Sequence, residues 1–366
     1  MNSQMPKWAD VALIPLLNLL LAFLVSGLVV LWIGENPLHA LVIIIKGSIG
    51  SAYSWGYTLY YTTNFVFTGL AVAVAFHAKM FNIGGEGQAT LGGLGAALAC
   101  LSIDWPHWLL AFPVIVAGAA LFGAAWAAVP AYLQARRGSH IVITTIMFNF
   151  IAFALLVYLL VHVMKAPGSM APETKTFPPG AHLPTAHEML AWFGIGFPKS
   201  PPLNVSFLLA LAACVFVWAL IWRTRLGYAI RAFGFSEPAA VYAGISPFRV
   251  IMISMLISGG LAGMMAVNTV AGEAERLLID SVQGAGFVGI AVALMGRSHP
   301  VGVLLAAILF GILYQGGAEL EFELPAVSRE MIVVIQALVI LFTGALDNMV
   351  RMPVEKLFIR MRRGAP

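Results

Sequence analysis

Apolar residues dominate ten stretches of the chain, which are separated by shorter polar connections. A helix needs about 20 apolar residues to cross the hydrocarbon core of a bilayer, and most of these stretches approach that length. The pattern predicts ten membrane-spanning helices near residues 11–33, 57–77, 86–103, 107–133, 141–163, 204–222, 247–270, 284–296, 300–318 and 327–346. A shorter run at 38–49 has apolar residues at helical spacing and predicts a helix lying in the membrane interface.

The composition supports a membrane protein. Hydrophobic residues make up 60% of the 366 residues and charged residues 10%, whereas soluble domains have about 45–50% and about 25%. After ten spans, too few residues remain for a separate soluble catalytic domain. Both cysteines, Cys100 and Cys214, lie in apolar stretches, so we expect neither a disulfide framework nor a metal site built on cysteine.

The distribution of positive charge predicts the orientation. With the N-terminus in the cytoplasm, fourteen of the 20 lysine and arginine residues fall on the cytoplasmic side of the predicted spans, as the positive-inside rule requires. Both termini, the basic tail at 347–366 and the polar loop at 223–245 are then cytoplasmic. The proline-rich segment at 164–203 is external.

The chain is predicted to consist of two five-helix halves, near 1–163 and 204–346. An odd number of spans in each half implies that any structural repeat is inverted across the membrane. Each half also contains a glycine-interrupted short stretch, at 81–93 and at 283–296. Paired broken helices of this kind indicate a substrate path in transporters.

Glu86 is the most informative single residue, because a carboxylate close to hydrocarbon normally faces a cavity, a partner or water. It lies within the first glycine-rich segment, next to Gly85 and Gly87. One interpretation places it in the substrate path. The alternative is structural: Glu86 lies at the cytoplasmic membrane surface, or pairs with Lys79 to brace a turn.

Uncharged polar residues within the apolar stretches suit a neutral, hydrogen-bonding substrate. The candidates for the substrate path are, besides Glu86, Asn64, Asn82, Gln88, Thr145, Asn149, Asn268 and Gln283. Each of them has the alternative role of a hydrogen-bonding contact between helices. The histidines have no partners at metal-ligand spacing, and the chain has no phosphate-binding Gly-Lys-Ser/Thr loop. We therefore expect no metal and no ATP hydrolysis by this chain.

The loop at 223–245 is predicted to contain a short helix. Ser236 suits the N-cap, Glu237 the positive helix terminus and Pro238 the first turn, and Gly244 suits the end. Ala239 and Ala240 continue it, and Arg231 belongs to the basic stretch before it. The segment is either a docking element for a soluble partner or an ordinary amphipathic connector.

Several motifs resemble the permease subunits of ATP-binding-cassette (ABC) importers, in the branch of ribose, branched-chain amino acid and nucleoside permeases. Residues 237–245, Glu-Pro-Ala-Ala-Val-Tyr-Ala-Gly-Ile, resemble the coupling helix of that branch. Residues 81–88 (Phe-Asn-Ile-Gly-Gly-Glu-Gly-Gln), 142–149 and 286–296 resemble the nucleoside and simple-sugar permeases. The resemblance extends from about residue 57 to residue 346.

This resemblance implies an all-α importer subunit of the bacterial inner membrane, working with three kinds of partner. A cytoplasmic ATPase would bind ATP-Mg and dock on the coupling helix, a second and related permease would complete the membrane part, and an external binding protein would deliver nucleoside. This chain would bind no cofactor itself. The nearest alternative implied by the resemblance is a permease for a simple sugar such as ribose.

Three other classes remain open from the residues. An ion-coupled secondary transporter needs an ionisable relay through the spans, for which Glu86 is the sole candidate. A lipid-modifying membrane enzyme needs acidic or histidine clusters at one face. For that role only Glu319, Glu321 and Glu323 come into question, and we interpret them as a solvated loop. A membrane scaffold without transport activity is the third.

Overall fold

The apolar stretches fold into helices because a backbone within lipid must satisfy its own N–H and C=O groups. The computed structural model describes residues 6, 9, 13–342 and 347–363. In that part of the chain no β-strand is found, and fifteen α-helices account for most residues. They are α1 (Ile14–Ile33), α2 (Pro37–Ile49), α3 (Ala52–His77), α4 (Gly85–Leu101), α5 (Trp108–Arg137), α6 (Ile141–His162), α7 (Ala186–Ala191), α8 (Ser206–Arg223), α9 (Arg225–Phe235), α10 (Glu237–Tyr242), α11 (Pro247–Ala266), α12 (Ala285–Met295), α13 (Pro300–Glu323), α14 (Arg329–Ile340) and α15 (Asp347–Arg363).

The prediction of an all-α, multi-pass membrane protein is confirmed. Each of the ten predicted stretches contains a helix, but seven helices of the described chain are long and apolar enough to cross a membrane. The helices α4, α12 and α14 are shorter. With 11 residues, α12 extends for about 16 Å, roughly half of the hydrocarbon thickness. The arrangement of ten crossings in two halves is therefore not confirmed.

Two local predictions have different outcomes. The helix expected at 38–49 is present as α2, where Asn36 caps the N-terminus by accepting the backbone N–H of Leu38 at 2.9 Å. The solvated loop expected at Glu319, Glu321 and Glu323 is wrong, because all three belong to the last turns of α13. The helix continues there because Leu320 is fully buried and joins a hydrophobic core.

The chain forms two compact units, and the first consists of Met1–Gly50 with Ile312–Pro366. Its core is an apolar cluster from α1, α2, α14, the end of α13 and the loop that follows it. The outer face of α1 carries exposed leucines and Trp32, as expected for a helix that faces lipid.

The second unit, Ser51–Gly311, is built around α3. From Thr62 to Ala75 every residue of α3 is buried, because α8, α11 and α12 pack against it. Glycines allow the backbones of α5 and α11 to approach: a Cβ atom at Gly259 would lie 2.5 Å from the carbonyl oxygen of Gly123. Such small-residue crossings are typical of helix packing in membranes. The exposed faces of α5 and α6 are apolar.

Candidate functional site

The glycine-rich segment before α4 turns back into the protein instead of staying at the end of α3. The Asn82 side chain donates to Ser258 Oγ at 2.8 Å, and Ser258 Oγ donates to the Ala71 carbonyl at 2.6 Å. Ala71 lies six residues, or about 9 Å, before the end of α3. The loop at 78–84 therefore places the N-terminus of α4 below the surface at which α3 ends.

The second glycine-rich segment brings the N-terminus of α12 to the same place. Glu86 Oε1 accepts the backbone N–H of Gly284 at 2.8 Å, and Oε2 accepts that of Gly286 at 2.9 Å. These amides belong to the start of α12, where the helix dipole favours a negative charge. We call this contact of Glu86 with Gly284 and Gly286 the α4–α12 junction. It unites the two segments that the sequence analysis paired.

The junction requires close approach of two backbones. A Cβ atom at Gly286 would lie 2.2 Å from the backbone nitrogen of Glu86, so no larger residue fits without displacing a helix. The residues before α12 are also strained, because Gln283 has a φ of 50°. Positive φ at a residue with a side chain costs about 1–3 kcal/mol and is common at functional sites.

One side of the junction is open. Glu86 is half-buried, Gln283 is exposed, and Phe287 is 49% exposed. Phe287 and Leu294 lie on one face of α12, and Leu294 is exposed as well. Gln283 lies just before the start of the helix. This open face of α12 therefore starts with polar groups at the junction and continues as an apolar surface.

Of the two structural alternatives for Glu86, the ion pair with Lys79 is not formed. Lys79 Nζ donates to the carbonyl oxygen of Phe235 at 3.4 Å, and the Glu86 carboxylate is held by backbone amides.

Three other predicted path residues, Asn82, Gln88 and Asn149, hold the loop in place, and a fourth, Thr145, is bonded within its own helix. Asn82 and Gln88 are both buried and exchange two side-chain hydrogen bonds, at 2.9 and 3.1 Å. Asn149 donates to the carbonyl of Ile83 and accepts the N–H of Gly87, both at 2.9 Å. Thr145 is buried and donates to the carbonyl of Ile141 in its own helix. The hydrogen bonds of Asn82, Gln88 and Asn149 give the loop its shape.

Asn64 and Asn268 meet in a separate network. Asn268 is fully buried; its amide donates to Asn64 Oδ1 at 2.8 Å and to the carbonyl of Tyr60, and its oxygen accepts from Asn204 and Ser206. All four hydrogen-bonding positions of this amide are used. Asn268 lies in a π-helical continuation of α11, Val267–Ala274.

Sequence reasoning missed the partners in both networks. Ser258 bridges the loop to α3, while Asn204 and Ser206 hold Asn268. Tyr60 also donates a hydrogen bond to the exposed Glu273 carboxylate. The position of Ser258, a polar residue within an apolar stretch, indicated a hydrogen-bonding role. Nothing in the sequence indicates that Ser258 contacts Asn82 and Ala71, which lie 176 and 187 positions away.

The short helix predicted near Ser236 is present as α10. Pro238 lies in its first turn with Glu237, and Gly244 follows it with a φ of 80°. Ser236 is the N-cap residue, but its side chain makes no cap hydrogen bond; its backbone N–H donates to the carbonyl of Ala232 at the end of α9. Ala239 is exposed and Ala240 is buried.

The segment before α10 is a longer helix, α9, which includes Arg231. It contacts the end of α3 directly: a Cβ atom at Gly234 would lie 2.0 Å from the carbonyl oxygen of His77. Together with the bond from Lys79 to Phe235, this contact links α9 to the loop that leads to Glu86.

Comparison with known proteins gives a consistent result. Residues 55–344 match the family described as branched-chain amino acid transport system / permease component. The guanosine ABC transporter permease protein NupP of Bacillus subtilis is 33% identical, with 91% of this chain and 93% of that protein covered. The nucleoside ABC transporter permease protein NupB of Lactococcus lactis is 32% identical, with 90% of each covered. The glucose ABC transporter permease protein TsgB13 of Haloferax volcanii is 31% identical, with 96% and 92% covered. No solved structure matches the chain.

Proposed function

Because the chain belongs to the permease-component family of branched-chain amino acid transport systems, we propose that it is the permease subunit of an ABC importer for nucleosides. The observation that carries the substrate class is the similarity to NupP and NupB over at least 90% of each chain. A simple sugar is the second candidate, favoured by the similarity to TsgB13. A nucleoside contains a pentose, so the two substrates share hydroxyl groups.

The ATPase is proposed to be a separate cytoplasmic subunit that binds ATP-Mg and docks on α9 and α10. The exposed side chains of Phe235 and Tyr242 support a protein contact there, since large aromatic residues are enriched in interfaces. A displacement of α9 would act on His77 and Lys79 and, through the loop at 78–84, on Glu86. We propose this as the route of coupling.

The substrate path is proposed to run along the open face of α12. A half-buried carboxylate and an exposed glutamine within a membrane are costly against lipid, which supports a water-filled path or a partner subunit at Glu86 and Gln283. A second, related permease would form the opposite wall, and an external binding protein would deliver the solute. Asn64 and Asn268 would support the path without contacting substrate.

Alternating access is proposed to result from opening and closing of the α4–α12 junction. The two inverted five-helix halves, the cytoplasmic termini and the bacterial inner membrane belong to the same proposal. The junction supports the inverted arrangement, because one glycine-rich helix start from each predicted half contributes to it.

The test is uptake by the complete transporter in proteoliposomes. Labelled guanosine, uridine, ribose and glucose are supplied outside with ATP inside. We expect ATP-dependent accumulation of nucleosides, and competition by ribose only at much higher concentration. Accumulation of glucose or ribose with no nucleoside uptake assigns the sugar alternative, and uptake without ATP contradicts the ABC mechanism.

A further inference from the structure

A cavity of about 860 Å³ opens between the ends of α3, α8, α9 and α12. Three cationic side chains line it: Lys79, Arg231 and Arg297. Among the lining residues in the described chain none is acidic. A neutral solute requires no such concentration of positive charge, so the proposed substrate does not account for it.

Arg231 is the cation that most needs a ligand. Its Nε atom is buried and has no hydrogen-bond partner within the described residues, and the ion pairs found there do not include it. A buried N–H group of a guanidinium that lacks an acceptor is costly. An anion in the cavity would supply acceptors, and arginine binds phosphate oxygens in a two-pronged geometry.

The loop after α12 forms one wall of the cavity and is fixed to the end of α3. Arg297 and Ser298 have φ values of 51° and 53°, two consecutive strained residues. The carbonyl of Ser298 lies 3.0 Å from His77 Nε2. The ring of Trp222 packs edge-on against His77, with centroids 5.3 Å apart, and also contacts His299. This strained loop and the end of α3 are thereby fixed to each other.

The rest of the lining is aromatic and apolar. Phe76, Trp222, Tyr228 and Phe235 surround the basic side chains, and Tyr228 and Phe235 are exposed. Aromatic belts mark the boundary between lipid and water, and basic pockets between membrane helices at that boundary bind phosphorylated headgroups. We propose that this cavity is a binding site for a phosphate-bearing anion, supplied either by an anionic phospholipid headgroup or by a soluble phosphate compound.

The experiment measures binding to the full-length purified chain. Native mass spectrometry in detergent compares the binding of phosphatidylglycerol with that of phosphatidylcholine. Calorimetry measures the binding of inorganic phosphate and of glycerol 3-phosphate. Arg231→Gln and Lys79→Gln remove lining cations separately, so that one variant suffices if the other fails to fold. Arg223→Gln is the matched control, because Arg223 lies over the Trp218 ring at 5.1 Å and does not line the cavity.

We expect binding to weaken about tenfold in each cavity variant and to be unchanged in Arg223→Gln. Preference for phosphatidylglycerol with no binding of the soluble phosphates assigns a lipid; binding of the soluble phosphates alone assigns a free anion. Three results would overturn the proposal. Phosphatidylcholine binds as well as phosphatidylglycerol, the cavity variants bind as well as the wild type, or neither phosphate source binds. The last result would favour an acidic segment of a partner protein.

Discussion

Glu86 accepts the backbone N–H of Gly286 at 2.9 Å, although 200 positions separate the two residues in the chain. This bond joins the starts of two helices, α4 and α12, each of which has glycines in its first turns. It gives the sequence motif at 81–88 a physical role: the carboxylate compensates the positive end of a short helix.

Replacing Glu86 by glutamine should lower uptake about tenfold. The amide keeps the length of the side chain, but its NH₂ group cannot accept a hydrogen bond, so at most one of the two bonds to α12 survives. The negative charge at the helix terminus is also lost. The measurement is ATP-dependent uptake in proteoliposomes, with Glu321→Gln as the control for an exposed carboxylate. Wild-type uptake by the Glu86 variant would exclude the junction from the mechanism.

Two glycines at the junction offer a matched pair. Gly286→Ala places a Cβ atom 2.2 Å from the Glu86 nitrogen, whereas Gly85→Ala places one 3.4 Å from the Gly286 carbonyl. We expect Gly286→Ala to abolish uptake and to lower the thermal unfolding temperature by several degrees, because a helix must move. Gly85→Ala should retain at least half of the uptake. Equal effects of the two substitutions would contradict the close approach.

Changes at α9 and α10 should uncouple ATP hydrolysis from uptake. Gly234→Ala separates α9 from His77, since its Cβ atom would lie 2.0 Å from the carbonyl oxygen there. Gly244→Ala strains the end of α10 at a φ of 80°, and Glu237→Gln removes the charge at its start. In each variant we expect ATPase activity within twofold of wild type and uptake reduced about tenfold.

The control for this uncoupling is Gly196→Ala, where a Cβ atom would meet nothing within 4 Å. Membrane insertion and assembly of the complex are checked by co-purification of the ATPase. We expect Gly196→Ala to transport like the wild type. If the three variants in α9 and α10 also transport like the wild type, these helices are not the coupling element.

Asn268→Ala should act on stability and leave substrate affinity unchanged. Loss of the Asn268 amide leaves hydrogen-bonding groups of Asn64, Asn204 and Ser206 without this partner. This should lower the free energy of unfolding by about 1–3 kcal/mol. Thermal unfolding should show this loss, and the double variant with Asn64→Ala should lose less than the sum of the two. A raised KM for nucleoside with an unchanged unfolding temperature would instead place Asn268 in the path.

A cysteine at position 287 should react with water-soluble thiol reagents. Phe287 lies on the open face of α12 beside the junction and is 49% exposed. Phe150 on α6 is 68% exposed but has apolar, exposed neighbours on its helix, so Phe150→Cys is the matched control facing lipid. Both variants are made in a Cys214→Ser background. The remaining native cysteine, Cys100, is fully buried and should not be labelled. We expect ATP-dependent labelling of the Phe287→Cys variant and no labelling of the Phe150→Cys variant. The reverse pattern would contradict a substrate path along α12.

Most helices could be predicted from the sequence because apolar length is a local property. The start of α10 could be predicted from Glu237 and Pro238, and its end from Gly244, because these residues act within one or two turns; the side-chain cap expected from Ser236 is not formed. The end of α13 was missed, because three glutamates suggested a loop while burial of Leu320 continued the helix. The full extent of α9 was also missed.

The candidate site was predicted in its parts and not in its assembly. The polarity of Glu86 and the glycines around residue 284 indicated two special segments. That they touch depends on a contact across 198 and 200 positions, which a single sequence does not encode locally. For the same reason the contact of Asn64 with Asn268 could not be predicted: the partners of the polar atoms of Asn268 lie far away in the chain.

The tether at Glu86 consists of main-chain amides rather than a cation. If α4 and α12 draw apart, the carboxyl group loses both of these main-chain donors at once. Within a membrane, water, a solute or a partner subunit must then supply the missing hydrogen bonds. Separation of the two helices is consequently tied to the arrival of a polar group between them.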